Sequence, residues 1–203
     1  IALLAGTLAA SPPLDILHGL SLDALTALRW RVIGNTHDPA ASPAVLIAFD
    51  EDSYRTPPFK TTPTVTWTRE IGRVVTAVVD GGALVVGFDV VFPTSIEESE
   101  ILFGNETLGA RLRGFDRDFL RALAVAARAG KVVLGEIQNS GVSIVPAPGQ
   151  RVAVGQQRNI RSLNVYSDSD GVVRRVPLTF TVNDKPLPGM ALELASRALG
   201  AAP

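Results

Sequence analysis

The sequence predicts an α/β fold with a mixed sheet: a parallel β-α-β-α-β first half, antiparallel strands in the C-terminal half, and helices packed on the sheet. Two strongly apolar runs, residues 46–54 and 84–93, each contain a Phe-Asp pair and are typical of buried strands. The segment between them has helical periodicity, and apolar strands that alternate with helices indicate parallel βαβ units. After residue 137 the chain becomes rich in Gly, Pro and Gln, and two shorter runs then flank a turn, which favours antiparallel pairing.

The N-terminal segment is predicted to be a lead-in, residues 1–20, to a single domain over residues 21–200. The opening run IALLAGTLAA is apolar but too short to cross a membrane, since a spanning helix needs about 20 apolar residues. It is either the stub of a transmembrane helix or an amphipathic lead-in. A helix follows at 21–33, with Ser21 as its predicted N-cap.

Strands and helices alternate through the first half of the predicted domain. Within residues 67–80 the apolar side chains recur at helical spacing, and Asp80-Gly81-Gly82 ends that helix. The predicted elements are a strand at 44–50, a long Pro-rich loop at 51–66, the helix at 67–80, a strand at 83–91, a helix at 115–129 and a strand at 131–136.

The C-terminal half is organised around a turn, Asp168-Ser169-Asp170-Gly171. This turn is predicted to join residues 162–167 to residues 172–182 as antiparallel partners. Short strands are expected around 142–145 and 151–154. A last helix is expected at 188–199, with Ala191, Leu194, Ala195 and Ala198 in line.

Composition and missing motifs exclude several classes of function. A net charge of −1 argues against a nucleic-acid partner, which needs clustered Lys and Arg. The chain has no cysteine, which excludes disulfides and thiolate metal sites. Its two histidines, His18 and His37, lie in the lead-in and in a linker, and no nucleotide-binding or nucleophile motif occurs. We therefore expect no catalytic residue, and no enzyme activity, in this domain.

Acidic residues at the ends of the predicted strands are the best candidates for a ligand site. The carboxyl ends of parallel strands are where ligands usually bind in α/β sheets. Asp50 and Asp89 together would suit a divalent cation, because Mg²⁺ and Ca²⁺ prefer oxygen ligands. The alternative is that these carboxylates cap loop amides or pair with arginines, so that no cofactor is present. The full set of tentative ligand-binding residues is Asp50, Glu51, Ser53, Trp67, Asp89, Glu136 and Arg174.

Two of these residues have a structural alternative. Trp67 is either a ring that stacks on a ligand or a plug that packs the 51–66 loop onto the sheet. Arg174 alternates in phase with the apolar side chains of its predicted strand, and a core-facing arginine needs an acidic partner. We therefore predict that Arg174 pairs with a carboxylate, such as that of Asp168 or Asp170, or lines a ligand pocket.

The order of four motifs resembles one known family. LIAFDEDSY, GFDVVF, KVVLGE and DGVVRR follow one another as in the CHASE type 2 domain, the second class of cyclase/histidine-kinase-associated sensing extracellular domains. The resemblance runs from about Asp23 to Leu199. The family often carries W-P-x-x-R before its first sheet-packing helix, whereas VTWTRE in this chain lacks that proline.

The resemblance implies a periplasmic or extracellular sensor domain of a bacterial membrane receptor. Such receptors carry adenylate or guanylate cyclase, histidine kinase, serine/threonine kinase or diguanylate cyclase output modules. It also implies flanking transmembrane helices, an unknown small ligand and a homodimer formed through the membrane-proximal helices. Two alternatives stay open: a structural or dimerisation module without a small ligand, and a metal-dependent hydrolase or phosphotransfer domain.

Overall fold

The computed structural model describes residues 12–36, 38–139, 142–182 and 184–201. The opening run IALLAGTLAA, predicted as a transmembrane stub or a lead-in, and His37 lie outside the described residues. The chain divides into two compact units, one formed by residues 1–48 and 165–176 and the other by residues 49–164 and 177–203. No helix within the described part of the chain is both long enough and apolar enough to cross a membrane.

The first unit is built on helix α1, Pro12–Ile33. The sequence predicted a helix here but placed its start at Ser21, which was wrong because the helix begins nine residues earlier. Proline is tolerated in a first helical turn, so Pro12 and Pro13 suit the actual start. Gly34 ends the helix in the left-handed region, with φ of 75°.

The predicted first strand, residues 44–50, is not a strand. These residues make no ladder with any strand that the structure describes, and Val45 and Leu46 are both 88% exposed. Asp50 instead caps the helix that follows. An apolar run indicates only a tendency to be buried, while a strand also requires a neighbouring edge to pair with. Here the parallel sheet takes its three strands from elsewhere.

The sheet of the second unit consists of β1 (Val86–Gly87), β4 (Val132–Glu136) and β5 (Ile160–Ser162). All three are parallel, and their order is β1-β4-β5. The strand predicted at 131–136 is confirmed, and every residue of β4 is buried. The strand predicted at 83–91 is paired over only two residues. The sequence missed β5, because its three residues begin at the end of a loop that carries no alternation.

Helices α3 (Thr68–Asp80) and α5 (Arg117–Arg128) cover this sheet and confirm the helices predicted at 67–80 and 115–129. They approach closely where Gly72 faces Phe119, since a Cβ at Gly72 would lie 3.0 Å from the Phe119 Cα. Burying apolar side chains between helix and sheet stabilises the unit by roughly 25 cal/mol for each Å² removed from water. The core includes Ile71, Val75, Phe119, Leu123, Val132, Leu134 and Ile160.

Several smaller elements complete the second unit. Residues 151–154, predicted as a short strand, lie in or directly after a helix instead, and residues 142–145 contribute one isolated bridge, Ile137 to Ile144. The helix predicted at 188–199 is confirmed. The elements are α2 (Glu51–Arg55), β2 (Leu102–Phe103), β3 (Glu106–Thr107), α4 (Leu108–Arg111), α6 (Pro148–Ala153), β6 (Thr179–Val182), β7 (Lys185–Pro188) and α7 (Met190–Leu199).

The predicted antiparallel pairing in the C-terminal half was correct in type but wrong in partners. Residues 162–167 and 172–182 share only the isolated bridge Tyr166 to Arg175. The turn between them is present, since Gly171 N donates to Asp168 O at 2.9 Å. The second run instead continues into β6, which pairs antiparallel with β7. Because a tight turn fixes only its flanking residues, the longer ladder forms with the segment that follows in the chain.

Candidate functional site

The first turn of α2 holds three of the tentative ligand-binding residues. Asp50 is its N-cap, and Asp50 Oδ1 accepts hydrogen bonds from both the amide and the hydroxyl of Ser53, each at 3.0 Å. The backbone and hydroxyl donors of Ser53 hold the pKa of Asp50 below its ordinary value. Glu51 is exposed and lies 3.7 Å from Arg55. The carboxylate of Asp50 therefore serves the helix start, with its outer side open to solvent.

Trp67 lies at the centre of an aromatic cluster. The centroid of its ring lies 4.8 Å from the ring centroid of Phe59, 4.9 Å from that of Tyr54 and 5.9 Å from that of Phe49. Trp67 Nε1 donates to Thr62 Oγ1 at 2.9 Å, and only 5% of the residue is exposed. This ring therefore packs the 51–66 segment against the start of α3, as in the plug alternative, although that alternative placed the segment on the sheet.

Glu136 ends β4 and, like Trp67, is only 5% exposed. Glu136 Oε1 accepts from the side-chain amides of Gln157 at 3.1 Å and Gln138 at 3.3 Å. Ser162 ends the neighbouring strand in register with Glu136, and its hydroxyl donates to Asn164 Oδ1 at 2.8 Å. We call these five residues the strand-end cluster. The carboxylate of Glu136 makes no ion pair with any residue that the structure describes, and its hydrogen-bond donors are the neutral amides of Gln138 and Gln157.

The acids at the strand ends do not form one cluster. Asp89 is exposed. Its carboxylate makes no hydrogen bond or ion pair with any of the described residues. The described part of the chain contains no group of three or more Asp, Glu or His side chains that could hold a metal ion. Asp50 and Asp89, the predicted metal pair, therefore have no third acidic partner among those residues.

Arg174 belongs to the first unit, where its guanidinium is surrounded by three carboxylates. It donates to Asp168 at 3.0 Å, to Asp170 at 2.8 and 2.9 Å, and to Asp23 of α1 at 2.7 and 2.9 Å. The predicted pairing of Arg174 with Asp168 or Asp170 is confirmed, and the partner on α1 is an addition. These residues form the Arg174 cluster, which fastens α1 to the 168–171 turn.

Within the Arg174 cluster, the arginine lowers the pKa values of Asp23 and Asp170, and these two carboxylates raise the pKa of the arginine. Hydrogen bonding from Arg174 lowers the pKa of Asp170 to about 2 and holds that of Asp23 below its ordinary value. In return, hydrogen bonds to Asp23 and then to Asp170 raise the pKa of Arg174. Asp23, Asp170 and Arg174 are therefore charged at neutral pH.

Sequence reasoning missed a second network, in which Glu193 of α7 lies between two arginines. Arg161 Nε of β5 donates to Glu193 Oε2 at 2.8 Å, and Arg197 Nε donates to Glu193 Oε1 at 2.7 Å. Arg197 also donates to the carbonyls of Gly130 and Val132. The side chains of Arg161 and Glu193 are only 9% and 6% exposed. This Glu193 network therefore fixes α7 to the sheet.

The predicted apolar face of α7 pointed away from this network. Ala191, Ala195 and Ala198 are exposed, while Glu193 and Ser196 are buried. The available signal was the pair Glu193 and Arg197, which are four residues apart and therefore lie on one helix face. That spacing is usually a solvent-exposed pair, so the burial could not be predicted without the position of Arg161.

Comparison with known proteins identifies the family. The family profile described as "CHASE2 domain" matches residues 1–203, the whole chain. The chain belongs to the CHASE2 domain family. Searches of curated proteins and of solved structures gave no significant match. CHASE2 domains are sensory domains of an extracellular type, which is consistent with a sensor role for this chain and confirms the family that the sequence motifs indicated.

Proposed function

We propose that this CHASE2 domain is the extracytoplasmic signal-input domain of a bacterial transmembrane receptor. In this proposal, it controls a cytoplasmic cyclase, kinase or diguanylate cyclase module and performs no chemistry itself. The family match over the whole chain is the observation that carries it. Transmembrane segments would flank the domain, and α1 and α7 would be the helices that lead toward them.

The strand-end cluster is the part of this domain best suited to a ligand, and its chemistry favours a cation. Glu136 is buried, accepts hydrogen bonds only from amides, and has no cationic partner among the described residues. A buried carboxylate without a counter-charge is costly. A small ligand that carries an ammonium, a guanidinium or a divalent cation would supply that charge. The further residues that the sequence suggested for a ligand site in this unit are Asp50, Glu51, Ser53, Trp67 and Asp89.

A continuous series of hydrogen bonds leads from Glu136 to α7. The Gln157 side chain donates to Glu136, and Arg161 donates to the carbonyl of Gln157 at 2.8 Å. Arg161 also donates to Glu193 in the first turn of α7. A ligand that moved Gln157 would therefore act on the arginine that fixes α7, and a ligand can shift an equilibrium only through such differential contacts.

Thermal unfolding with simple cations tests the ligand site. Ethylammonium, guanidinium, Mg²⁺ and Ca²⁺ are added singly to the wild-type chain and to two variants, Glu136→Gln and the exposed control Glu106→Gln. Binding to the folded state raises the melting temperature by mass action. We expect a rise that is lost in Glu136→Gln and kept in Glu106→Gln. If no cation raises the melting temperature, or if both variants respond alike, Glu136 is not the ligand site.

A labelling experiment tests the proposed compartment. Because residues 1–203 contain no cysteine, Thr64→Cys places one thiol on an exposed residue of this domain, in a full-length receptor whose cysteines outside the domain have been replaced. A membrane-impermeant maleimide applied to whole cells, with the outer membrane permeabilised, should label this variant and not the parent receptor. Labelling that requires lysis of the inner membrane would place the domain in the cytoplasm and refute the proposal.

A further inference from the structure

The outer face of α3 carries a stripe of four exposed residues, Arg69, Arg73, Thr76 and Asp80. Their spacings of four, three and four residues bring them within about 60° of one another around the helix axis. The stripe borders a groove of about 530 Å³ that Gly72, Ala77 and Asp118 also line. We call these four residues the α3 stripe.

The charges at the two ends of the α3 stripe are the opposite of those that the helix itself favours. The partial positive charge of a helix N-terminus attracts acids, and the C-terminus attracts bases. Arg69 nevertheless lies in the first turn of α3, and Asp80 is its last residue. Neither makes an ion pair or hydrogen bond through its side chain with any residue in the described segments, whereas Arg73 pairs with Glu70 at 2.7 Å.

The α3 stripe is complementary to a second copy of itself. The positions read the same from either end, since 69 and 80 each lie 5.5 positions from the midpoint, and 73 and 76 each lie 1.5 positions from it. In an antiparallel pair of helices, Arg69 of each copy would face Asp80 of the other, and the two helix dipoles would oppose one another favourably. Ala77 is exposed near the middle of α3, and its small side chain allows the two helices to approach.

We propose that α3 forms a contact between two copies of this domain, antiparallel about a two-fold axis at the level of residues 74 and 75. A two-fold interface brings the same patch together from both subunits, which requires a self-complementary surface. The balance of one base and one acid at opposite ends fits a second copy better than a uniformly charged partner such as a nucleic acid. This contact is separate from the membrane-proximal one implied by the family and does not depend on it.

The contact is weak in free solution and effective when the copies are held together. A single pair of helices of this length buries less than about 1,000 Å², the size of transient interfaces. Tethering two copies raises their effective concentration to about the millimolar range. Self-association of the isolated chain is therefore measured up to millimolar protein, at low ionic strength, where an exposed ion pair is least screened.

Charge reversal with sedimentation equilibrium tests the proposal. Arg69→Glu and Asp80→Lys each place like charges opposite one another, so each single variant should associate about tenfold or more weakly than wild type. The double variant Arg69→Glu/Asp80→Lys restores both pairs with reversed sign and should associate as wild type does. Arg113→Glu, an exposed reversal away from the groove, should have no effect.

The same variants exclude unfolding as the cause of lost association. Because each reversal gives its helix end the favoured charge, the melting temperature of both single variants should equal or exceed that of wild type. The proposal is overturned if wild type stays monomeric at millimolar concentration, if the single variants associate as wild type does, or if the double variant stays as weak as the singles.

Discussion

The two arginine–carboxylate networks of this domain are built in opposite ways. In the first unit one base, Arg174, holds three acids, and in the second unit one acid, Glu193, holds two bases. The acids around Arg174 are partly open to water, with side-chain exposures from 29% to 52%, whereas Glu193 is 6% exposed. Ion pairs near water are weakened by salt and contribute little, while breaking a buried pair leaves a costly charge behind.

This difference assigns the two networks different roles in a sensor. The Glu193 network binds α7 to β5 and to two carbonyls of the 130–132 segment, so α7 is fixed to the sheet at several points. The Arg174 cluster binds α1 through the Asp23 carboxylate and through Gly19, which is buried against the Arg174 guanidinium, and the described side chains of α1 from residue 20 to residue 32 are exposed. Under the proposed function, α7 would transmit a signal rigidly and α1 would be the helix that can be released.

Removing Glu193 should have the largest effect. Glu193→Ala leaves Arg161 and Arg197 as uncompensated charges, so we expect the free energy of unfolding to fall by about 3–5 kcal/mol. Urea denaturation followed by circular dichroism measures this loss. The exposed control Glu100→Ala should stay within about 0.5 kcal/mol of wild type. A Glu193→Ala protein as stable as the control would show that the network is not needed to fix α7.

Removing Arg174 should have a smaller and local effect. Arg174→Ala frees Asp23 from the 168–171 turn, so amide hydrogens of α1 after residue 19 should exchange faster, while those of β4 should be unchanged. Arg175, the next residue in the chain, is the matched control. Its own side chain is exposed and has no hydrogen bond or ion pair among the described residues. Hydrogen exchange read by mass spectrometry compares Arg174→Ala with Arg175→Ala. Equal amide exchange of α1 in both variants would show that Arg174 does not hold α1 to the 168–171 turn.

The parts of the structure that could be predicted from sequence are those set by local periodicity. The apolar periodicity of α3 and α5 identified both helices, and the continuous apolar run identified β4. The pairing of Arg174 with an acid was confirmed, although the apolar residues in phase with it, Val172, Val176 and Leu178, are exposed. Contacts between residues that are distant in sequence could not be predicted. An example is the hydrogen bond from Arg174 to Asp23, which lie 151 positions apart. The run at 44–50 failed for the same reason, because apolar composition does not specify which edge a strand pairs with.

Acid should weaken the Arg174 cluster before it unfolds the rest of the protein, and this is the smallest of the expected effects. A carboxyl group whose pKa is lowered in the folded state stabilises that state above its unfolded pKa, and the contribution disappears as the pH falls through the folded value. For Asp170 the window runs from the ordinary value of 3.8 down to about 2. We therefore expect exchange in α1 to be constant from pH 7 to about pH 4, after correction for the intrinsic rate, and to rise below that.

The Arg174→Ala variant has lost the cluster already, so its corrected exchange in α1 should lack this rise. A rise of equal size in that variant would assign the acid transition to other carboxylates and would leave the two networks indistinguishable in their response to pH.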